Sequence, residues 1–445
     1  MPAHIDEPSP TQPVDPWCFL VHGWIWLGTE QGKIAAIEAW IDDRQLGETS
    51  NLYPRTDVAA AQGIDAAART GFLINGCRFP ERHGGTAGVH IRARRHDGTR
   101  SEPIASTRAI FAGGRRSPLG ALLENLAPTA RGLEIGAHSN PVPGLSPYFT
   151  DSVAVFAGSS GRADFLADAV ALPVPDDTLD YLCSSHVLEH LPNPLGAIWE
   201  WHRVLRPGGW LYLVVPDKRY TFDAGRPVTP PRHLVEDFFN ATTAADSADH
   251  IDDFIFHADW KRLRPGCPPQ DEAKQREEAH AHYLEQLHRE QRVDIHFHTF
   301  TPRSLRLAMW LAGLIECDAA PFRVAAQAEK YPGDRRDGIG MLLQKAGRPQ
   351  ARGAMNTHLV RHENAAVEAL PVVCPVTLMP LQLAGDGTER ALVTKDRARR
   401  YEYSAGLPNL IPPVGAAICR RWQRRPWRWF NRVASLGRLT VAPRD

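Results

Sequence analysis

Three short apolar runs and one Pro-Gly-Gly turn leave the stretch from Gly132 to Pro216 few ways to fold. Leu133 to Ile135 carry a single acid, Glu134, and stop at Gly136, as a buried parallel strand feeding a tight loop does. Leu179 to Cys183 is a second apolar run, and Pro194 to Leu205 follows with helical periodicity. After Pro207-Gly208-Gly209 comes a third run, Trp210 to Val215. Parallel neighbours need a long connection, so strand, helix, turn and strand read as a parallel crossover unit. The spacing predicts an open, doubly wound α/β sheet.

Such sheets bind ligands outside the carboxyl ends of their strands. The residues in those places are Gly136 to Asn140, then Asp151, then Asp168 with Ala169, and finally Ser184 to His186. The first loop begins with one glycine where the dinucleotide fingerprint has three, which argues against NAD. Asp151 follows Glu134 at about the separation at which an acid pairs with ribose hydroxyls. An adenosine fits this pattern.

The segments LEIGAHSNP, ADAVALPVPDDTLDYL, HVLEHLPNPLGAIWEW and RVLRPGG, with the acid at Asp151, together resemble the class I S-adenosylmethionine-dependent methyltransferases. VVPDKRYTFDAGRPVTP and the later VDIHFHTFTP resemble, more narrowly, a bacterial group found beside glycan-assembly functions. The resemblance implies a Rossmann-like sheet and S-adenosylmethionine as cofactor. It implies Glu134 and Gly136 at the methionine end, Asp151 on the ribose, and Asp168 with Ala169 flanking the adenine. Asn140 and Ser185 join the cofactor-binding set, and His186 falls where the fourth strand meets the methyl group. The loop departs from the common three-glycine form at Ala137, His138 and Asn140, although asparagine tolerates positive φ.

At 445 residues the chain is long enough for roughly three domains. Its 51 basic and 51 acidic residues cancel, so no global attraction to nucleic acid or membrane follows. Seven widely spaced cysteines without a CxxC pair indicate neither a disulfide framework nor a zinc ribbon, and a reducing cytosol fits. No window approaches the roughly 18 apolar residues of a membrane span.

Residues 1–16 are polar and Pro-rich and read as a disordered leader. Residues 17–113 show short alternating runs, which predict a β-sandwich that resembles immunoglobulin-like modules of glycan-modifying transferases. Its Trp24, Trp26 and Trp40 are expected mainly in the core, with saccharide or partner binding as the functional alternative. The methyltransferase domain is expected over 114–348, with a helical insertion at 229–293. After a linker at 349–367, residues 368–415 resemble the zinc-ribbon-like activators of certain methyltransferases. Cys374 stands alone there, with Thr377 at the second cysteine's place, so this copy is expected to be metal-free. The tail 416–445 interleaves arginines with Trp422, Trp427, Trp429 and Phe430, a composition suited to peripheral contact with a membrane surface.

Past the strand ending at Pro216, Asp217, Lys218, Arg219, Asp223 and Arg226 cluster at the mouth of the site. Lys218, Arg219 and Arg226 are candidates to hold an anionic or polyhydroxylated acceptor, a salt-bridge network being the alternative. At strand spacing His296 and His298 share a face, with Asp217 and Asp294 as oxygen donors nearby. Two histidines without a third firm ligand do not define a metal site, and none is assigned. His190 and His202 are read as packing residues. The expected activity is O-methylation of a saccharide or lipid-linked glycan in the cytoplasm, with His186, Asp217, His296 and His298 as candidate bases. The alternative is a catalytically silent scaffold that binds a glycan or partner.

Overall fold

The computed structural model describes residues 3–410 except 18, 80–81, 83, 114–116, 137–140, 153–162, 247, 290–292, 316–321, 333–336, 347–380, 385–390, 395–397, 405–406 and 409. Asn140, Cys374, Thr377 and the whole tail 416–445 lie outside the described residues. Two compact units divide the chain, one made mainly of residues 1–124 and the other mainly of 146–329 and 339–445.

In the first unit a four-stranded and a five-stranded sheet share one apolar core. Each alternating run of the sequence is a strand, at Phe19–Ile25, Ile34–Ile41, Arg69–Cys77, Thr86–Arg95 and Ala105–Phe111. The expected leader is corrected: Ala3–Glu7 pairs antiparallel with Phe19–Ile25, and Pro13–Val14 pairs with Ala105–Phe111. Ala3, Ile5 and Val14 are buried, which is why this polar, Pro-rich stretch is ordered. The tryptophans are also corrected, because Phe19, Ile37, Phe72, Ile91 and Phe111 fill the core while Trp24, Trp26 and Trp40 stay only half-buried. Trp40 lies under the guanidinium groups of Arg92 and Arg100 and donates its Nε1 to Glu38 at 3.1 Å.

The second unit is built on a seven-stranded sheet. In chain order its strands are β1 (Gly132–Ile135), β2 (Tyr148–Asp151), β3 (Phe165–Leu166), β4 (Leu179–Ser185), β5 (Leu205–Pro216), β6 (Arg323–Tyr331) and β7 (Gly338–Gln344). Their spatial order is 3-2-1-4-5-7-6, and β1 to β5 pair in parallel. The order reverses between β1 and β4, where Leu133 lies opposite Leu182 and Ile135 opposite Ser184.

Helix α1 (Pro194–Val204) makes the crossover from β4 to β5. Asn193 caps it by accepting from Gly196 N at 2.8 Å, and Pro194 takes the first helical position. Every residue of α1 is buried, so the amphipathic face of the sequence pattern widens to the full circumference. That burial is tolerable because Glu200 and Arg203 pair at 2.7 Å. The two also bind the main chain at Leu172 and Val174.

The expected insertion is helical. It carries α2 (Pro231–Asn240), α3 (Ala248–His257) and α4 (Glu272–His288), which lead into α5 (Pro302–Ile315). Ile251, Phe254, Trp260, Ile295 and Phe297 form a separate core beneath it. Near the end of the chain Leu381–Ala384, Ala391–Thr394, Arg400–Ser404 and Leu407–Pro408 make a small antiparallel sheet. Leu410 N donates to Leu166 O at 2.8 Å, tying this sheet to the β3 edge. Among the described residues no helix is long and apolar enough to cross a membrane.

Candidate active site

Parallel strands put β1, β2 and β4 carboxyl ends on one edge of the sheet, at the point where strand order reverses. Gly136, just past β1, has φ +67°, and a Cβ there would fall 2.5 Å from Val187 Cγ2. Only glycine suits that turn. Its N–H donates to Thr150 O at 2.9 Å, which binds the turn to β2. Glu134 is fully buried in β1 beside Cys183, whose thiol is pushed well up by burial and by the Glu134 charge.

Asp151 is the last residue of β2, and its carboxylate accepts from Ser152 N at 2.6 Å. Asp168 accepts from Val170 N at 3.0 Å, while the Ala169 carbonyl accepts from Trp201 Nε1 at 3.0 Å. Ser185 ends β4 opposite Val214. A tight glycine turn, an acid one strand away and the small Ala169 beyond it fit an adenosine-bearing cofactor.

His186 follows β4 with φ +54°, a left-handed conformation that a non-glycine residue holds at a cost. Its backbone N–H donates to Val214 O at 3.0 Å. The next turn brings Glu189, fully buried, to 3.6 Å from His186 Nδ1 and 3.8 Å from His190 Nε2. His190 Nδ1 lies 3.0 Å from Asp294. The Glu189 carbonyl accepts from Phe297 N at 2.7 Å and His298 N at 3.2 Å, so the 294–300 segment is sewn onto this turn.

His296 meets His190 edge to face, with centroids 4.7 Å apart, and its Nδ1 lies 2.6 Å from Asp223. Burial raises the Asp223 pKa, but the hydrogen bond and charge of His296, with the Arg226 charge, win and hold it below the usual carboxylate value. A carboxylate on Nδ1 fixes the proton there and leaves Nε2 as the basic nitrogen. Glu189, His190 and His296 also bring metal-competent atoms within 4.8 Å of one another.

The remaining expected residues have other partners. Asp217 is fully buried and bound by Arg219 through Nε and Nη2, at 2.9 and 2.6 Å. Its backbone bridges Phe300. Arg219 continues to Glu329 at 2.9 Å, and Lys218 Nζ donates to Ala224 O at 3.1 Å. Arg226 is fully buried between Asp223 and Asp253, at 2.8 Å from each. Arg219 and Arg226 are thus in salt bridges, while Lys218 meets a main-chain carbonyl.

His296 and His298 do not share a site, because residues 293–299 form no regular strand and the rings meet different neighbours, His190 and Asp223 for the first and Pro192, His233 and His250 for the second. His298 is fully buried, and its Nε2 donates to Pro192 O at 3.2 Å. Burial, then the nearby His250, push its pKa well down, so it is neutral and sealed from any acceptor. His202 packs against Phe322 as expected, whereas His190 joins the Glu189 cluster.

The sequence reading missed Glu189 and Asp223 as partners of these histidines. The spacing within HVLEHL was a usable signal for Glu189, whereas Asp223 and His296 are 73 residues apart and no local pattern links them.

Residues 145–213 match the family model described as a methyltransferase domain. An uncharacterized methyltransferase of Mycobacterium bovis is 36% identical over 81 residues, 18% of this chain and 29% of that protein. Methyltransferase GfsG of Streptomyces halstedii is 36% identical over 98 residues, 22% of this chain and 33% of its own length. A probable S-adenosylmethionine-dependent methyltransferase of Mycolicibacterium smegmatis is 43% identical over 61 residues, 13% of this chain and 23% of that one. The chain thus spans a third or less of the length of these relatives. A solved S-adenosylmethionine-dependent methyltransferase from Methanosarcina mazei is 17% identical, with 51% of this chain and 97% of that one covered and a TM-score of 0.28. The residues that match the methyltransferase-domain model run from just before β2 into β5.

Proposed function

We propose that the protein is an S-adenosylmethionine-dependent methyltransferase acting on a hydroxyl oxygen, with a saccharide, lipid-linked glycan or other small polyhydroxylated molecule as acceptor. The observation that carries the reading is the strand order 3-2-1-4-5-7-6, with Gly136, Asp151 and His186 just at the ends of β1, β2 and β4. The methyltransferase-domain match over 145–213 supports it independently.

Bound at that edge, the cofactor supplies an electrophilic methyl on a sulfonium. Asp151 would accept hydrogen bonds from the ribose hydroxyls, and Glu134 and Gly136 would shape the methionine end. Asp168 and Ala169 would flank the adenine, with Ser185 at the end of β4. His296 would take the acceptor's hydroxyl proton on Nε2, while the methyl would come from the bound sulfonium. Asp223 keeps the proton of His296 on Nδ1 during that step. His186 and Glu189 orient the acceptor, because both stand where β4 ends and the 294–300 segment is pinned. Transfer is an in-line displacement, so most of the rate comes from such positioning.

The test is calorimetric titration with S-adenosylmethionine, with NAD as the parallel control, followed by transfer of labelled methyl to a panel of saccharides. Saturable binding of the first ligand alone supports the reading. If neither ligand binds, the scaffold alternative takes its place.

A further inference from the structure

Away from the strand ends, three histidines and one aspartate converge in the helical insertion. His233 and Asp237 sit one turn apart on α2, His250 lies in the first turn of α3, and His298 comes from the segment before Phe300. Their ligand-competent atoms all lie within 4.8 Å of one another. His233 Nε2 is 2.9 Å from His250 Nε2 and 3.4 Å from Asp237 Oδ2, and the same oxygen is 3.7 Å from His298 Nε2. A tetrahedral ion with bonds of about 2.0–2.1 Å separates its ligands by roughly 3.3 Å, a value these distances bracket.

Three features distinguish the cluster from ordinary packing. Asp237, His250 and His298 are buried, and Asp237 Oδ2 has no hydrogen-bond partner, which is costly for a carboxylate oxygen. Two imidazole nitrogens meet at 2.9 Å as a hydrogen-bonded pair, in which a shared cation would take the place of the shared proton. Arg226, the cation felt at His250 and His298, is itself paired with Asp223 and Asp253.

We propose that His233, Asp237, His250 and His298 bind a divalent transition-metal ion, zinc by the chemistry of the set. Three neutral imidazoles and one carboxylate without thiolate suit zinc, and four protein ligands leave no open position, so the site is structural. The ion fastens α2 and α3 to the segment that carries His296. His298 exchanges its bond to the Pro192 carbonyl for the ion, and half-exposed His233 lies on the entry path. The inference is independent of the methyl-transfer reading.

The experiment is metal analysis of the full chain purified without a polyhistidine tag, with thermal melting and cobalt substitution. The expected result is about one zinc per chain retained through dialysis, a melting temperature lowered by chelator and restored by zinc, and tetrahedral cobalt bands in the visible spectrum. Asp237→Asn and His250→Gln should weaken zinc binding about tenfold or more, while His296→Ala keeps it. His233→Gln, at a half-exposed position, serves if the buried variants do not fold, and the cobalt titration needs no variant. Absence of zinc, of cobalt bands and of any melting shift on adding zinc to natively folded protein would overturn the proposal. Loss of the ion in His296→Ala but not in His233→Gln would also overturn it, by moving the ion to the Glu189 cluster.

Discussion

Gly136 and His296 show how much a single side chain decides at this site. The φ of +67° and a Cβ only 2.5 Å from Val187 mean that Gly136→Ala strains the turn twice. The substitution should destabilise the fold by about 1–3 kcal/mol and weaken S-adenosylmethionine binding, read by urea unfolding and calorimetry. His296 is tied to Asp223, whose pKa is depressed in the folded state. The unfolded chain binds that proton more readily, so the stabilisation is complete above about pH 4 and disappears as pH falls through the lower folded value. Melting temperature against pH should therefore drop more gently below pH about 4 in Asp223→Asn than in the natural protein. An unchanged acid limb would show that Asp223 contributes nothing there.

At the scale of elements, the segment after β5 is held by buried ion pairs together with the packing of Phe222 against Phe254. Arg226 is fully buried with acids on both sides, so Arg226→Met leaves Asp223 without its arginine and should cost roughly 3–5 kcal/mol. Denaturant midpoints measure this, and a loss below about 1 kcal/mol would rank the pair with exposed ion pairs. The helix patterns of the insertion were legible because their apolar positions recur every three or four residues, as at Ile251, Phe254 and Ile255. Which helical polar residues meet was not legible. His233 and Asp237 share a face by spacing alone, yet His250 and His298 reach them only through packing.

On the scale of the whole molecule, the two units have separate apolar cores. Phe72, fully buried in the first, is distant in sequence from every proposed cofactor residue. Phe72→Ala should cost that unit about 3–5 kcal/mol while cofactor affinity in the remaining folded protein is unchanged. A parallel loss of affinity would show that the first unit supports the site. The chain beyond residue 410 lies outside this description, so a liposome-binding comparison with and without residues 416–445 is the direct check on its arginines and tryptophans.

The sequence by itself determined the open parallel sheet, its glycine turn and the order of strand-end acids, because apolar runs, Gly136 and the Asn193-Pro194 cap act within a few residues of one another. It also determined the strands of the first unit, through period-two alternation. Tertiary structure decided the partners of the charged residues and the histidines. His296 met Asp223 across 73 residues, His298 met Pro192 across 106, and the polar leader gained order from strands that follow it. Local pattern specifies conformation and the buried face. Which polar atoms become neighbours depends on long-range closure, for which a sequence of single residues carries no periodic signal.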